Sequence, residues 1–164
     1  MSSQQPMRNV GRRGGLDEID RRIVAILQKN GRTSNREVAR LLNVSEATVR
    51  NRISRLIEDD LINIVAVPTP RAVGMTMSAI LGISVSLPMM EEIVAELMTH
   101  PEVRYVGMAT GRHDVIVEAF FHDQEHLLEF VSQSLGHMQG VTRVETSLIL
   151  RVAKFSYEWE IPLE

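Results

Sequence analysis

The 164-residue chain has no cysteine, so neither disulfides nor thiolate metal sites hold its fold, a composition that suits a reducing compartment. No apolar run approaches the roughly 20 residues that span a bilayer. The opening MSSQQPMRNVGRRGG is basic with no apolar segment behind it, so secretion and membrane partnership are both unexpected and a cytoplasmic location is the expectation. Aromatic residues make up only 4% of the chain, which argues against an aromatic cage around a ligand. The G-x-S-x-G, P-loop and H-E-x-x-H patterns are also missing, and with them the commonest hydrolase, nucleotide-phosphate and metalloprotease chemistries. The residues point to no catalytic site, no cofactor and no enzyme.

What is present is an uneven distribution of charge. The net charge is −3, yet the chain up to Asn63 carries 12 Lys+Arg against 8 Asp+Glu, net +4, and the remainder 6 against 13, net −7. Positive charge is concentrated where a polyanion can be met, and the rest of the chain repels one. Two small domains are therefore expected.

Residues 1–15 are polar, glycine-rich and basic, and read as a disordered arm. From Leu16, Ile19, Ile23, Ile26 and Leu27 recur at helical spacing, with Asp17, Glu18 and Asp20 in the first turn where the helix dipole favours anions. Asn30-Gly31 stops this helix. Ser34 begins a second, with Glu37 completing a capping box and Val38, Ala39, Leu41 and Leu42 as its buried side. Asn43-Val44 turns the chain, and Ser45 caps a third helix whose stripe is Val49, Ile53, Leu56 and Ile57. Two short helices about such a turn make a helix-turn-helix, spanning 16–63. The β-branched run 61–67 suits a strand, and Pro68 and Pro70 mark a linker or hinge over 64–76.

Over 77–154 a βαββαβ order is expected: a strand within 78–87, a helix after Pro88 burying Ile93, Val94, Leu97 and Met98, strands over 103–108 and 115–121, a helix over 123–135 and a long strand over 141–152. This is the ferredoxin-like arrangement of an α+β fold, four antiparallel strands with both helices on one face. The other face needs a cover, for which a second copy of the chain is expected. Residues 155–164 read as a tail.

On the third helix, Ala47, Arg50, Asn51 and Ser54 oppose the apolar stripe. A recognition helix enters the major groove N-terminus first, so Ser45, Glu46, Thr48, Arg50 and Asn51 are the candidates for base edges of double-stranded DNA. Arg52, Arg55, Ser34 and Asn35 are the candidates for phosphates. His122 and His126 lie four apart beside Asp123 and Glu125, but His122 falls before the helix proper, which spoils a shared helical face; no metal site is expected.

The segments LDEIDRRIVAILQKNGR, SNREVARLLNVSEATVRNRISRLIEDDLI and TGRHDVIVEAF resemble the Lrp/AsnC, or feast/famine, regulators, a likeness running from about Leu16 to Lys154. Where that family usually has glycine, this chain has Asn43 and Asp60, two residue types that tolerate left-handed backbone. The resemblance implies a winged helix-turn-helix domain joined to a ligand-sensing domain. It also implies dimers assembling to tetramers or octamers, and an amino acid or related metabolite as effector bound between subunits. It places that effector at the loop Thr110, Gly111, Arg112, His113 and Asp114, with Met108, Thr142 and Thr146 as further lining. Gly111 lets backbone N–H groups approach a carboxylate and Asp114 accepts from an ammonium, although a plain hairpin needs the same two residues. Two other readings share the scaffold: an enzyme resembling the siroheme decarboxylases, and an oligomeric ligand-binding protein without DNA binding.

Overall fold

The structure, a computed structural model, describes residues 15–154. The expected tail, and the expected arm apart from the exposed Gly15, lie outside the described residues. Contacts divide the described chain into two compact units that meet in sequence between Ala66 and Val67.

The first unit is three helices, α1 (Glu18–Lys29), α2 (Asn35–Leu42) and α3 (Glu46–Glu58). Its core is Ile23, Val38, Ala39 and Val49, with Ile19, Ile26, Leu27, Leu42, Val44 and Ile53 packed around them. Leu41 was expected inside but is 53% exposed: it falls off the stripe set by Val38, Ala39 and Leu42. The caps are local and hold as read at Ser34 and Ser45, whose side chains accept the N–H groups of Glu37 and Thr48. The reciprocal half of a capping box is made not at Ser34 but at Asp17, which exchanges side-chain and backbone bonds with Asp20. α1 ends through Asn30 in extended backbone, with the Asn30 carbonyl taking the N–H of Thr33. Left-handed backbone closes the other two helices, at Asn43 (φ 54) and Asp60 (φ 56), where a β-branched residue would be strained.

Among the described residues the expected strand over 61–67 finds no partner. These residues join no ladder and 63–67 are exposed. β-Propensity is a fit to a pleated, half-buried surface, and among the described residues no neighbouring strand supplies one. A short 3-10 turn, Pro70–Val73, follows, capped by Thr69.

The second unit is a four-stranded antiparallel sheet in the order β2-β3-β1-β4, from β1 (Met77–Val85), β2 (Val103–Met108), β3 (Val115–Phe121) and β4 (Val141–Leu148). Alternation places Ala79, Leu81, Ile83 and Val85 of β1, and Val115, Val117, Ala119 and Phe121 of β3, in one core. They pack with Ile93 and Leu97 of α4 (Met90–Leu97) and with Leu127 of α5 (Gln124–Glu129). Each of these side chains larger than alanine contributes about 1.5–3 kcal/mol by leaving water. The opposite face carries Ile80, Gly82, Ile116 and Phe120, which alternate with the core positions in the paired registers.

Two expected elements differ. The helix over 123–135 is α-helical only as far as Glu129, continues as a wide π turn, Phe130–Ser134, and closes as a 3-10 turn, Leu135–His137. The last strand stops at Leu148, because β1 offers a partner only as far as Ala79 on that side and a single further bond from Ile149 to Ser78.

Candidate nucleic-acid interface and ligand loop

The outer side of α3 presents Ala47, Arg50, Asn51 and Ser54, all exposed, while Val49 and Leu56 are fully buried. Glu46 is exposed in the first turn. Ser45 and Thr48 bond to each other through their hydroxyls at 2.7 Å. Arg50 has no ion-pair partner among the described residues.

Arg52 and Arg55, the expected phosphate contacts, are bonded to α1. The Arg52 Nη1 donates to Asp20 Oδ1 at 2.9 Å and to Asp17 Oδ2, and Arg55 Nη2 donates to Asp20 Oδ2. Asp20 is completely excluded from solvent. The Arg52 hydrogen bond, with the Asp20 backbone N–H, holds the Asp17 carboxyl below the usual carboxylate range; the Asp17 and Asp20 carboxylates raise Arg52 in turn. Sequence reading missed Asp20 because its partners lie 32 and 35 residues away. It also passed over Arg36 and Arg40 of α2, exposed one turn apart, whose position opposite Val38 was the available signal. Ser34 is exposed and Asn35 half-buried at the start of the same helix.

In the second unit the loop between β2 and β3 folds against the end of β1. Asp114 Oδ2 accepts the Val85 N–H at 2.9 Å, and the Asp114 N–H donates to the Ile83 carbonyl at 3.0 Å. One Asp114 oxygen is thus committed to the fold, as the hairpin reading required. Gly111 has φ 112, open to glycine, while Thr110 is exposed. Arg112 Nη2 reaches Glu145 Oε1 on β4 at 2.8 Å, Arg143 Nη2 reaches the same oxygen at 2.6 Å, and His113 Nε2 lies 3.3 Å from Glu145 Oε2. The His113 Nδ1 is enclosed, with no hydrogen-bond partner among the described residues. Its ring lies where a Cβ on Gly82 would stand. Neither Glu145 nor Arg143 was foreseen; a cross-sheet neighbour has no local signal.

The remaining loop candidates are not brought together within one chain. Met108 ends β2 at one edge of the sheet, and Thr142 and Thr146 lie on β4 at the other, about 14 Å away at ~4.8 Å per strand. Thr146 pairs with Leu81 and shares its side of the sheet, away from Glu145. The Thr142 hydroxyl donates to the Ser84 carbonyl at 3.0 Å. His126 is likewise committed: its Nδ1 accepts the His122 N–H, so its proton sits on Nε2 and is donated to Glu102 Oε1 at 3.0 Å. The His122 Nδ1 lies 2.9 Å from the Gly74 carbonyl and donates to it. No helix among the described residues is long and apolar enough to cross a membrane.

A free carboxylate oxygen on Asp114 and a carboxylate ringed by two exposed guanidiniums and an imidazole offer partners for both charges of a zwitterion. On α3, an exposed guanidinium, amide and hydroxyl offer the donor and acceptor pattern that base edges require.

Comparison with known proteins agrees with this division. The family profile of the AsnC-type helix-turn-helix domain matches residues 16–57, and that of the Lrp/AsnC ligand binding domain matches residues 78–159. An HTH-type transcriptional regulator of Pyrococcus abyssi is 36% identical over 143 residues, 87% of this chain and 90% of that one. The HTH-type transcriptional regulator FL11 of Pyrococcus furiosus is 34% identical over 147 residues, 89% of this chain and 97% of that one. Among solved structures, a transcriptional regulator of Neisseria meningitidis in complex with L-methionine superposes with a TM-score of 0.82 at 26% identity, covering 89% of this chain and 97% of that one.

Proposed function

The chain belongs to the Lrp/AsnC family of transcriptional regulators, and we propose that α3 enters the major groove of operator DNA with Ser45, Glu46, Thr48, Arg50 and Asn51 toward the bases. Ser34 and Asn35 at the start of α2, with Arg36 and Arg40 behind them, meet the phosphates. The carrying observation is the two-sidedness of α3: Val49 and Leu56 are fully buried, while Arg50 and Asn51 are exposed and Arg50 is unpaired among the described residues.

The second unit binds an amino acid or close relative, whose carboxylate is recognised by Arg112 and Arg143 and whose ammonium meets Glu145 or the free oxygen of Asp114. The L-methionine held by the Neisseria regulator supports this ligand class. A second copy of the chain covers the sheet face that carries Ile80, Ile116 and Phe120, so that an effector bound between subunits alters the spacing of paired recognition helices. The function is regulatory, not enzymatic.

DNase footprinting on the regulator's own operator, selected from a random-sequence pool, tests the groove assignment. Arg50→Ala is expected to lose protection at concentrations where the wild type is saturated, roughly a 10- to 100-fold affinity loss for one base contact of ~1–3 kcal/mol, with an unchanged melting temperature. Normal protection by the variant removes Arg50 from the base-reading set.

A further inference from the structure

We propose that Asp20 on α1 is a positioning residue for the recognition helix, and that Arg52 and Arg55 serve it rather than the phosphate backbone; the inference rests on the groove assignment above. Among the described residues Asp20 is the one charged side chain wholly removed from water. A carboxylate so placed is stable only with its lone pairs filled by donors. Here Oδ1 takes Arg52, and Oδ2 takes Arg55 and, at 3.1 Å, the Asp17 N–H. Asp17, which returns the bond by accepting the Asp20 N–H at 2.8 Å, also holds Arg52. Both arginines are therefore drawn to one point at the start of α1.

The consequence is rotational. Burial of Val49 and Leu56 holds α3 against the bundle, but the hydrophobic effect is non-directional and leaves the helix some freedom to roll about its axis. Two charged bonds to a single buried carboxylate, from positions three apart, remove that freedom. A roll of about 20° carries a group roughly 5–6 Å from the helix axis by about 2 Å, and a hydrogen bond does not survive such a displacement. At 100° per residue, Ala47, Arg50, Asn51 and Ser54 centre more than ~100° around α3 from Arg52 and Arg55. Fixing one side thus aims the other. Because both guanidiniums are already neutralised, they add nothing to counterion release on DNA.

The test is the salt dependence of binding to an unrelated duplex, and the ratio of affinities for the selected operator and that duplex, measured well below each protein's melting temperature. Arg55→Gln, in which Arg52 still holds Asp20, is expected to keep the wild-type slope of log K against log salt. A phosphate contact would flatten that slope by about 0.9. Asp20→Asn is expected to lower the affinity ratio at least tenfold while unrelated DNA is still bound. A flattened slope for Arg55→Gln overturns the proposal alone, as does an unchanged ratio in an Asp20→Asn protein whose melting temperature has fallen, which makes Asp20 merely structural. If Asp20→Asn does not fold, the Arg55→Gln slope still decides. A wild-type chain that retains neither duplex overturns the groove assignment and the proposal with it.

Discussion

Replacing Gly82 by alanine probes the ligand loop from a position on β1, by displacing the His113 ring. The added Cβ would lie 2.5–2.6 Å from Cδ2, Cγ and Nε2 of the His113 ring. Carbon atoms are at ease only from about 3.5 Å, so the ring must retreat by about 1 Å. His113 Nε2 is 3.3 Å from Glu145 Oε2, a contact the displaced ring has to remake. Overpacking costs about 1–3 kcal/mol. The Gly→Ala change returns roughly 0.4–1 kcal/mol through the unfolded chain, since Gly82 has no backbone conformation closed to alanine. A net loss of about 1–2 kcal/mol lowers the melting temperature of the second unit by roughly 5–15 °C at ~4–8 °C per kcal/mol. The assay is thermal unfolding of Gly82→Ala, His113→Ala and the double variant. With the ring gone the new methyl has room, so the double variant is expected to melt at or above His113→Ala, a coupling of about 1 kcal/mol or more. A Gly82→Ala protein that melts higher than the wild type, or strictly additive effects, refutes the placement of His113.

Asn43→Ala is expected to lower stability by about 1–2 kcal/mol because its φ of 54 is left-handed, whereas Asn43→Gly holds or raises it; equal urea midpoints for the two variants contradict the assigned turn. Acid stability provides a separate check. Asp17 is held below the ordinary aspartate value near ~3.9, first by its hydrogen bond from Arg52, so as pH falls the unfolded chain takes up this proton before the folded one. Its contribution is therefore complete above about pH 4 and lost as pH falls through the folded value below that. Urea midpoints measured from pH 5 to 2.5 are expected to fall less steeply for Asp17→Asn, and parallel curves would show that Arg52 does not hold Asp17.

How much could be seen beforehand depended on the range of each interaction. Ser34, Ser45, Asn43 and Asp60 act on atoms a few residues away, so one-letter context was enough to place the helix ends. The spans of β1 and β3 and the βαββαβ order were visible for the same reason. The stretch over 61–67 shows the limit of that signal, because β-branched residues announce a strand whether or not the described residues supply a partner. The partners of Arg52 and Arg55 were not legible because an arginine beside an apolar stripe looks identical whether it awaits a phosphate or is held by a carboxylate more than 30 residues earlier. Glu145 was invisible until the register placed it opposite Gly82.

The wide turn Phe130–Ser134 has a consequence for how related chains should be aligned. From Leu127, ideal helical spacing would return inward at 130 or 131 and at 134, but the buried positions are Phe130 and Leu135. One surplus residue has been absorbed as a bulge in the coil of the helix, moving the inward slot from a serine to a leucine. Deleting a single residue between Phe130 and Leu135 would let an ordinary helix deliver the same leucine to the same place. A gap of one at this point marks preserved packing, not a broken frame.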